Sequence, residues 1–548
     1  MLKKIRLVLL ILIAIIWFVT ILPYFLVQTD FGTKYINHLL SSYSDKYSIN
    51  VGHIAHSITN PYEVTLENVT IQDKTQLTTN LSVKKVVIGL KLAHLFNTLS
   101  FEYLLLEDGY VTISPTEQSI SADFLQLKNI SLHYKNPNDD SEISFSNIYG
   151  GIKPWSEEVI THRIDSQFNF TIQKANYNNI DIKSIVIQGS QKNNILYLTN
   201  LGGNINSGFF TANANILADN SLLINQLKID KLFFQSKDDL SQLNKKLINL
   251  PKIDMRHLSV IDSSINLANF SLEKANLDIK NIIYDHAWQL QQSTLFFNAQ
   301  SMIFGEQLID QPLLQWQNDD NQIIIEPALG LWNKGNIKLS ANWQNDELTI
   351  ENIIASGIHY QLPVDWWQKL ADLNLPHSMP NQILIKQLTL MPSLIIDTNP
   401  AFSFQFTGFE AFGNNIAINS AQDTLQVDGT ILVKADSGTL NTIELHKPDL
   451  SLNFTPTNTN MSFSTLINQG ILEGTASLVS TKQLESLELN SHSIDSQTLA
   501  LWYLIDNPIK INNFDLKLHG SLEPLSLNGT LQTIDKKYEV KNNQLADY

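Results

Sequence analysis

The side chains that could act as acids, bases or metal ligands are scattered along this 548-residue sequence. His53 and His56 stand three residues apart in a polar strand or turn context, without a carboxylate motif, which favours solvent-facing strand histidines over a metal site. No pair of carboxylates can be assigned as acid and base, and no HExxH, G-x-S-x-G, P-loop or G-x-G-x-x-G motif occurs. We therefore expect no catalytic, cofactor-binding or metal-binding residues, and a protein that is not an enzyme.

Two other features could bind a ligand. Gly202, Gly203 and Gly208 form a glycine-rich stretch, but a strand pattern follows it, whereas a phosphate cradle needs a helix N-terminus. These glycines are better interpreted as turn or bulge positions. Trp366 and Trp367 could stack on a ligand or rest at a membrane surface, but packing of a helix face is the favoured interpretation.

Composition excludes several classes of protein. The formal net charge is -16 and the pI is about 5.2, and no basic stripe with interleaved aromatic residues occurs, so we expect no nucleic-acid partner. Cysteine is absent, which excludes disulfides and Cys-based zinc or redox sites. An apolar fraction of 43% is ample for a folded interior.

The N-terminus resembles a membrane anchor. Lys3, Lys4 and Arg6 precede an uncharged run over residues 7–27, which is long enough to cross a hydrocarbon core of about 30 Å as a helix. A secretory signal peptide is the alternative, but its apolar region is shorter and this run ends without an A-x-A cleavage site. We predict a cytoplasmic tip over residues 1–6, an anchor over 7–27 and a single crossing of the membrane.

The chain after the anchor changes from a helical to a strand pattern. Thr29 to Tyr47 carries apolar residues at three- and four-residue spacing after a capping Thr29 or Asp30, which predicts an amphipathic helix over residues 28–47. From residue 48 to 548 apolar and polar residues mainly alternate, as in strands with one apolar face. The clearest such segments are Leu66–Ile71, Leu106–Ile113, Leu125–Leu132, Ile180–Gly189, Ile224–Phe234, Met255–Leu267 and Ile383–Leu390.

Turn formers separate these segments, so we predict short strands in meander order. They include Asn136–Asp140, Gln317–Asp320, Trp343–Leu348 and Asp397–Pro400. Helical spacing returns in Ser236–Pro251, Pro363–Leu373 and Ser496–Ile505. No segment reads as a flexible linker, which predicts one continuous elongated body. The pattern leaves open whether two apolar sheet faces pack as a sandwich or one face curls and stays open.

Several segments, taken in order, resemble the AsmA-like family of bacterial envelope proteins, most closely its YicH-type members. The resemblance covers essentially the whole chain. It begins with the N-terminal anchor, "QTDFGTKYINHLL" and "VTLENVTIQD", and continues through "GGIKPW", "LTNLGGNINSGFFTANA", "LSVIDSSINL", "SMIFG", "GILEGTASL" and "FDLKLHGSLEPLSLNGTL".

This resemblance implies a mainly β fold: a single N-terminal transmembrane helix followed by a long, curved, mostly antiparallel β-sheet groove with a few short helices. It implies a single-pass protein of the cell inner membrane, with a cytoplasmic N-terminus and the rest in the periplasm. The expected partners are the inner membrane and phospholipid, whose acyl chains the apolar groove binds or passes in outer-membrane lipid homeostasis. The expected lipid-facing residues are Val69, Ile71, Val111, Ile113, Ile130 and Leu132.

A second class of function stays open. The same strands could form a closed, dry β core, with the sheet edges pairing with other envelope proteins, as in a scaffold or assembly factor. Co-purifying phospholipid would favour the groove, and crosslinking to a protein without lipid would favour the scaffold.

Overall fold

The chain is mainly β in a computed structural model. The structure describes residues 10–15, 24–43, 47–57, 59–74, 79–90, 100–112, 121–135, 142–156, 164–177, 180–247, 250–290, 292–319, 322–366, 380–421, 424–480 and 482–547. The predicted anchor lies outside these residues except for 10–15 and 24–27, which are helical. Among the described residues, no helix has both the length and the apolar character needed to cross a membrane.

Besides the helical residues of the predicted anchor, the described part of the chain contains three short helices with defined bounds. They are α1 (Asp30–Tyr43), α2 (Leu240–Leu247) and α3 (Gln497–Leu501). The first begins as predicted, because the Thr29 hydroxyl accepts a hydrogen bond from the backbone N–H of Gly32 at 3.2 Å and so caps the helix. It ends earlier than predicted, and Tyr47 already belongs to a strand. Helices α2 and α3 lie inside the predicted segments Ser236–Pro251 and Ser496–Ile505. Of the predicted segment Pro363–Leu373, the structure describes only the residues up to Trp366.

The chain divides into two compact units. Unit 1 comprises residues 1–236, 241–265 and 282–289, and unit 2 comprises 237–240, 266–281 and 290–548.

The strands that begin before residue 266 are as follows: β1 (Tyr47–Asn50), β2 (His53–His56), β3 (Glu63–Asp73), β4 (Thr79–Leu90), β5 (Ser100–Thr112), β6 (Ser121–Lys135), β7 (Glu142–Lys153), β8 (Trp155–Ser156), β9 (Ser166–Tyr177), β10 (Ile180–Lys192), β11 (Ile195–Ile205), β12 (Gly208–Ile216), β13 (Leu222–Asp230), β14 (Phe233–Gln235) and β15 (Ile253–Asn266).

The remaining strands are β16 (Phe270–Tyr284), β17 (Trp288–Gln289), β18 (Thr294–Asn298), β19 (Ser301–Phe304), β20 (Gln307–Asp319), β21 (Gln322–Trp332), β22 (Gly335–Gln344), β23 (Glu347–Ser356), β24 (His359–Gln361), β25 (Gln382–Asp397), β26 (Phe404–Ala421), β27 (Thr424–Lys434), β28 (Ser437–Leu440), β29 (Ile443–Phe454), β30 (Thr459–Ile467), β31 (Gly470–Ser480), β32 (Gln483–His492), β33 (Phe514–Leu522), β34 (Leu525–Gln532), β35 (Lys537–Lys541) and β36 (Gln544–Asp547).

Most neighbouring strands pair antiparallel, as predicted, but the simple meander was wrong at three places. Among the described residues, β5 and β6 pair parallel, as do β13 and β15, and β25 pairs parallel with both β23 and its continuation β24. A parallel pair needs a crossover connection that brings the chain back to the end at which the first strand began. Helix α2 lies in the connection between β13 and β15. The strands also exceed the short predicted segments, because β26 alone has 18 residues.

A line of left-handed residues crosses unit 1. Asn68, Asp108, Asn129, Asn147 and Ser184 all have left-handed backbone conformations, with φ between 51° and 56°. Each stands one residue before a position of one register line across β3 to β10. Such a residue interrupts the regular pleat, so that apolar residues three apart can face the same side: Leu66 and Val69, on either side of Asn68, pack in one cluster.

We expect Asn129→Val to lower the free energy of unfolding by about 1–2 kcal/mol, because a β-branched residue disfavours the left-handed conformation. The substitution also removes the 2.8 Å hydrogen bond from the Asn129 Nδ2 to the Asp108 Oδ1. Asn129→Gly loses this bond but fits the backbone, so it is the matched control. Hydrogen exchange of β5 and β6 measures the free energy of unfolding of both variants. Equal losses of this free energy in Asn129→Val and Asn129→Gly would contradict a left-handed conformation at Asn129.

Candidate functional site

A continuous row of apolar residues crosses unit 1. Residues directly opposite one another on neighbouring strands share a face of the sheet. In strand order, the row contains Leu66, Val86, Leu106, Leu127, Gly150, Phe170, Ile187, Leu201, Ala212, Leu227 and Leu258, which we call the unit 1 row. At about 4.8 Å for each step between strands, its path is about 48 Å long.

The predicted lipid-facing residues lie in two further apolar lines beside this row. Ile71, Val111 and Leu132 belong to one line, in which Leu81 joins the first two. Val69 and Ile130 belong to the other line, joined through Val83 and Gly109. The sixth residue, Ile113, lies outside the described residues. That these residues contact lipid stays a prediction.

The three lines share one face on both sides of the left-handed residues. A cluster around the buried Ile148, Ile172 and Ile185 includes Leu127, Phe170 and Ile187 of the unit 1 row. It also includes Leu132, from the line of Ile71 and Val111, and Phe145, which is paired with Leu132. Within the described residues, this cluster draws only on the adjacent strands β6, β7, β9 and β10. The apolar residues here therefore pack sideways within one sheet, without a second sheet against them, which differs from a sandwich core.

The unit 1 row is neither buried nor fully exposed. All of its members have intermediate exposure, whereas the neighbouring Ile130 is completely buried. In a closed core such Leu, Ile and Phe side chains would be excluded from water. A half-exposed apolar row along eleven strands is a candidate binding surface.

Helix α1 covers the first strands of this face. Val51, Ile54 and Val69 form a buried cluster, against which Ile36 and Leu40 of α1 pack. The Asn37 amide fixes the helix, because it donates to the Val51 carbonyl and accepts from the Val51 N–H, both at 2.8 Å. Val69, a predicted lipid-facing residue, is therefore only 6% exposed, because α1 covers this part of the face.

Unit 2 carries a second apolar row, which we call the unit 2 row. In strand order it contains Leu277, Phe297, Leu314, Ala328, Leu339, Ile353, Leu388, Gly413, Ile431, Leu452, Met461, Ala476, Leu487, Leu518, Gly529 and Val540. The row has intermediate exposure from Leu277 to Leu388, but Ala476, Leu518 and Val540 near its end are buried.

The buried end of the unit 2 row lies in a closed core. Residues 494–511, which we call the C-terminal cap, bring Leu499 and Ile505 into one cluster with Leu516 and Leu531, all at most 1% exposed. Hydrogen bonds hold the cap to strand ends: the Trp502 Nε1 donates to the Leu440 carbonyl at 3.1 Å. Unit 2 thus combines a half-exposed stretch with a closed one.

The opposite face of unit 1 carries charge beside the apolar row. Glu67, Lys85, Glu107 and Lys128 alternate in sign on successive strands, next in sequence to members of the unit 1 row. The Lys85 Nζ lies 3.8 Å from the Glu107 Oε2. Because this pair is solvent-exposed, it contributes at most about 1 kcal/mol to stability. In β3 to β6, the side opposite the unit 1 row therefore carries charged side chains.

Tyr103 on this polar side spans two strands. Its ring lies over Gly89, where a Cβ would be 2.3 Å from the ring, and its hydroxyl donates to the Glu63 carboxylate. Burial, the bond to Glu63 and the charges of Glu63 and Glu102 raise the pKa of Tyr103 to about 12, from 10.0.

We expect the stability contributed by this tyrosine to fall as the pH rises from about 10 to about 12. In that window the unfolded chain releases the phenol proton while the folded chain still holds it, so rising pH favours unfolding. Chemical unfolding at pH 9 and pH 12 measures the loss. Tyr103→Phe should have a smaller loss than the parent chain, and an unchanged loss would contradict the assignment.

Several residues that the sequence singled out for possible chemistry make packing contacts or lie at a register shift. The His56 ring packs edge-on against Tyr24 at 4.8 Å, and Gly203 lies at a register shift between β10 and β11. The Trp366 Nε1 donates to the Asp397 Oδ2 at 2.8 Å and its ring meets Phe404 edge-on, which agrees with packing. Trp367 lies outside the described residues. In the part of the chain that the structure describes, no group of three or more His, Asp or Glu could hold a metal ion.

Sequence alternation missed the unit 1 row because the left-handed residues shift it. "LENVTI", "LEDGYV" and "LKNISL" share a spacing in which an apolar residue precedes the left-handed residue by two positions and the next inward residue directly follows it. Leu66, Leu106 and Leu127 occupy the first position. An Asn or Asp between apolar residues three apart is the signal that would have found them.

Comparison with known proteins gave one relative of similar length. The chain is 28% identical over 511 residues to "AsmA family protein YicH" of Escherichia coli (strain K12), an alignment that covers 91% of this chain and 88% of the relative. No protein-family model matches the chain.

Proposed function

This chain belongs to the AsmA-like family, and from this premise we propose that it is an inner-membrane-anchored periplasmic protein whose apolar β-sheet face binds or passes phospholipid acyl chains. In this role it contributes to outer-membrane lipid homeostasis or assembly. The anchor is the uncharged run over residues 7–27. The chain acts by binding and is not an enzyme.

The unit 1 row is the observation that carries this proposal. An acyl chain spans about half of a 30 Å hydrocarbon core, roughly 15 Å, so a 48 Å path could hold several positions for a lipid along it. Aliphatic and aromatic side chains line the path, and no charged side chain interrupts it. Such a surface attracts chains by their apolar area rather than by specific hydrogen bonds, because hydrophobic burial is non-directional. Exchange between positions along the path therefore needs no broken polar contact.

The charged face of the sheet supports an arrangement in which the lipid tails lie on the apolar side. Glu107 and Lys128 project away from Leu106 and Leu127 of the row, so the phospholipid headgroup would stay in water at the rim while its tails lie on the apolar side. Because the row is half-exposed, a bound acyl chain removes apolar area of the row from water. This burial favours binding by about 25 cal/mol for each Å².

Photocrosslinking tests this proposal directly. A photoreactive amino acid at Leu227, in the unit 1 row, should crosslink to phospholipid in cells, as mass spectrometry of the purified chain would detect. The matched control is its neighbour Gln226, which is exposed. Lipid at Leu227 and none at Gln226 is the expected result. Protein crosslinks at both positions and no lipid would overturn the groove.

The alternative function is an envelope scaffold or assembly factor acting through protein contacts. The closed core beneath the C-terminal cap favours it for one end of unit 2, where Leu516 and Leu531 are completely buried. The short last strand β36 could accept a partner strand at the edge of the sheet. A chain that crosslinks to a protein through β36 and carries no lipid would support this function instead.

A further inference from the structure

The outer side of helix α1 carries apolar side chains that the sheet does not use. Phe31, Tyr35 and Leu39 follow one another at four-residue spacing, so they form one stripe along the helix. They are 74%, 60% and 49% exposed, whereas Ile36 and Leu40 pack against the sheet. A helix that only covers the sheet needs one apolar face, and α1 has two.

The stripe continues into the apolar segment that precedes the helix. Phe25 and Leu26 are 52% and 43% exposed, and residues 10–15 of the same segment are also exposed. Only Gln28 and Thr29 separate residues 24–27 from α1. The stripe therefore begins within a few residues of the predicted exit of the anchor from the membrane.

The turn between the segment and the helix is tight and fixed. A Cβ on Gly32 would lie 2.0 Å from the Leu26 carbonyl oxygen, so the two pieces touch. The Tyr24 hydroxyl and the Gln28 amide both donate to the His56 carbonyl, at 2.6 Å and 3.0 Å. These contacts tie the end of the segment to β2, while Asn37 ties α1 to Val51.

We infer that α1 lies on the surface of the membrane, with Phe31, Tyr35 and Leu39 inserted among the lipids at the interface. This inference rests on the membrane anchor of the proposed function. Exposed Asp30, Lys34 and His38 lie beside the stripe and remain in the headgroup region or water. A helix with an aromatic and aliphatic side next to a polar side is the form that binds the plane of an interface.

The consequence concerns the orientation of the sheet. Helix α1 is hydrogen-bonded to Val51 and packs on Val69. When α1 lies on the membrane, it therefore holds the first strands of unit 1 next to the lipid surface. A flexible tether would allow those strands to rotate away from the membrane. The fixed turn instead presents the beginning of the apolar face to the membrane in one orientation.

Site-directed spin labelling tests this inference on the full chain, because the sequence has no cysteine to remove. Phe31→Cys, Tyr35→Cys, Leu39→Cys and, as the matched position on the same helix, Lys34→Cys are labelled singly in vesicles of phosphatidylethanolamine and phosphatidylglycerol. Labels at the three stripe positions should lose collisions with an aqueous nickel complex and gain collisions with oxygen. The label at Lys34 should keep its collisions with nickel.

Two further labels separate this inference from the proposed function. Leu12→Cys reports whether the anchor is in lipid. Lys85→Cys, on the polar face of the sheet, is the reference for a label exposed to water. Lipid exposure at Leu12 with water exposure along the stripe would overturn the inference and leave the anchor intact. Water exposure at Leu12 would overturn the anchoring itself. Stripe labels that are shielded from both reagents and broaden one another would indicate a second copy of the chain and would also overturn the inference.

Discussion

Leu201→Asp is expected to reduce the phospholipid bound to the purified chain about 100-fold. Leu201 lies in the unit 1 row and is half-exposed, outside the buried clusters, so the substitution can be made without removing a core residue. A carboxylate in contact with hydrocarbon costs about 3 kcal/mol. Since each 1.4 kcal/mol is a factor of about ten in affinity, this penalty predicts the 100-fold loss. Lipid mass spectrometry after purification in mild detergent measures it.

Asn200→Asp is the matched control for this prediction. Asn200 is the preceding residue of β11, is exposed, and gains the same charge with almost no change in volume. Its bound lipid should equal that of the parent chain. If both variants lose lipid equally, the loss comes from added negative charge in general, and the apolar row does not hold the acyl chains.

The strand pattern of the sequence predicts the apolar face but not its continuity. In "LENVTIQD" the inward positions Val69 and Ile71 follow from alternation, and the structure places them with Val111, Ile130 and Leu132 on one face. Leu66 escapes the same rule, because Asn68 takes a left-handed conformation and shifts the alternation by one. Backbone conformation at a single residue thus decides which side of the sheet the rest of the strand faces, and alternation alone does not encode it.

Long-range connections were the second feature that the sequence did not reveal. Parallel pairing of β5 with β6 joins segments whose local patterns match those of antiparallel strands, because both strands lie in a sheet of which one face is more apolar than the other. The C-terminal cap also depends on distant partners. Trp502 bonds to Leu440, which lies 62 residues earlier, so no local pattern distinguishes the buried Leu499 from a residue on an open helix.

An open face and a closed core should respond differently when a leucine is shortened. We expect Leu516→Ala, beneath the C-terminal cap, to lower the local free energy of unfolding by about 3–4 kcal/mol, because the methyl groups leave a cavity in a site that is completely buried. Leu106→Ala, in the unit 1 row, should cost only about 1 kcal/mol, since its half-exposed side chain gives up less contact with its neighbours.

Hydrogen exchange with mass spectrometry measures the two effects separately, on peptides from β33 and from β5, because it reports the stability of each segment by itself. Lys517→Ala is the control for the first variant: it removes the exposed pair between the Lys517 Nζ and the Glu488 Oε1 at 2.9 Å and should cost under about 1 kcal/mol. Equal costs for Leu106→Ala and Leu516→Ala would mean that the unit 1 row is packed as tightly as the capped core. In that case the face has no room for acyl chains, and the scaffold function becomes the better account of the fold.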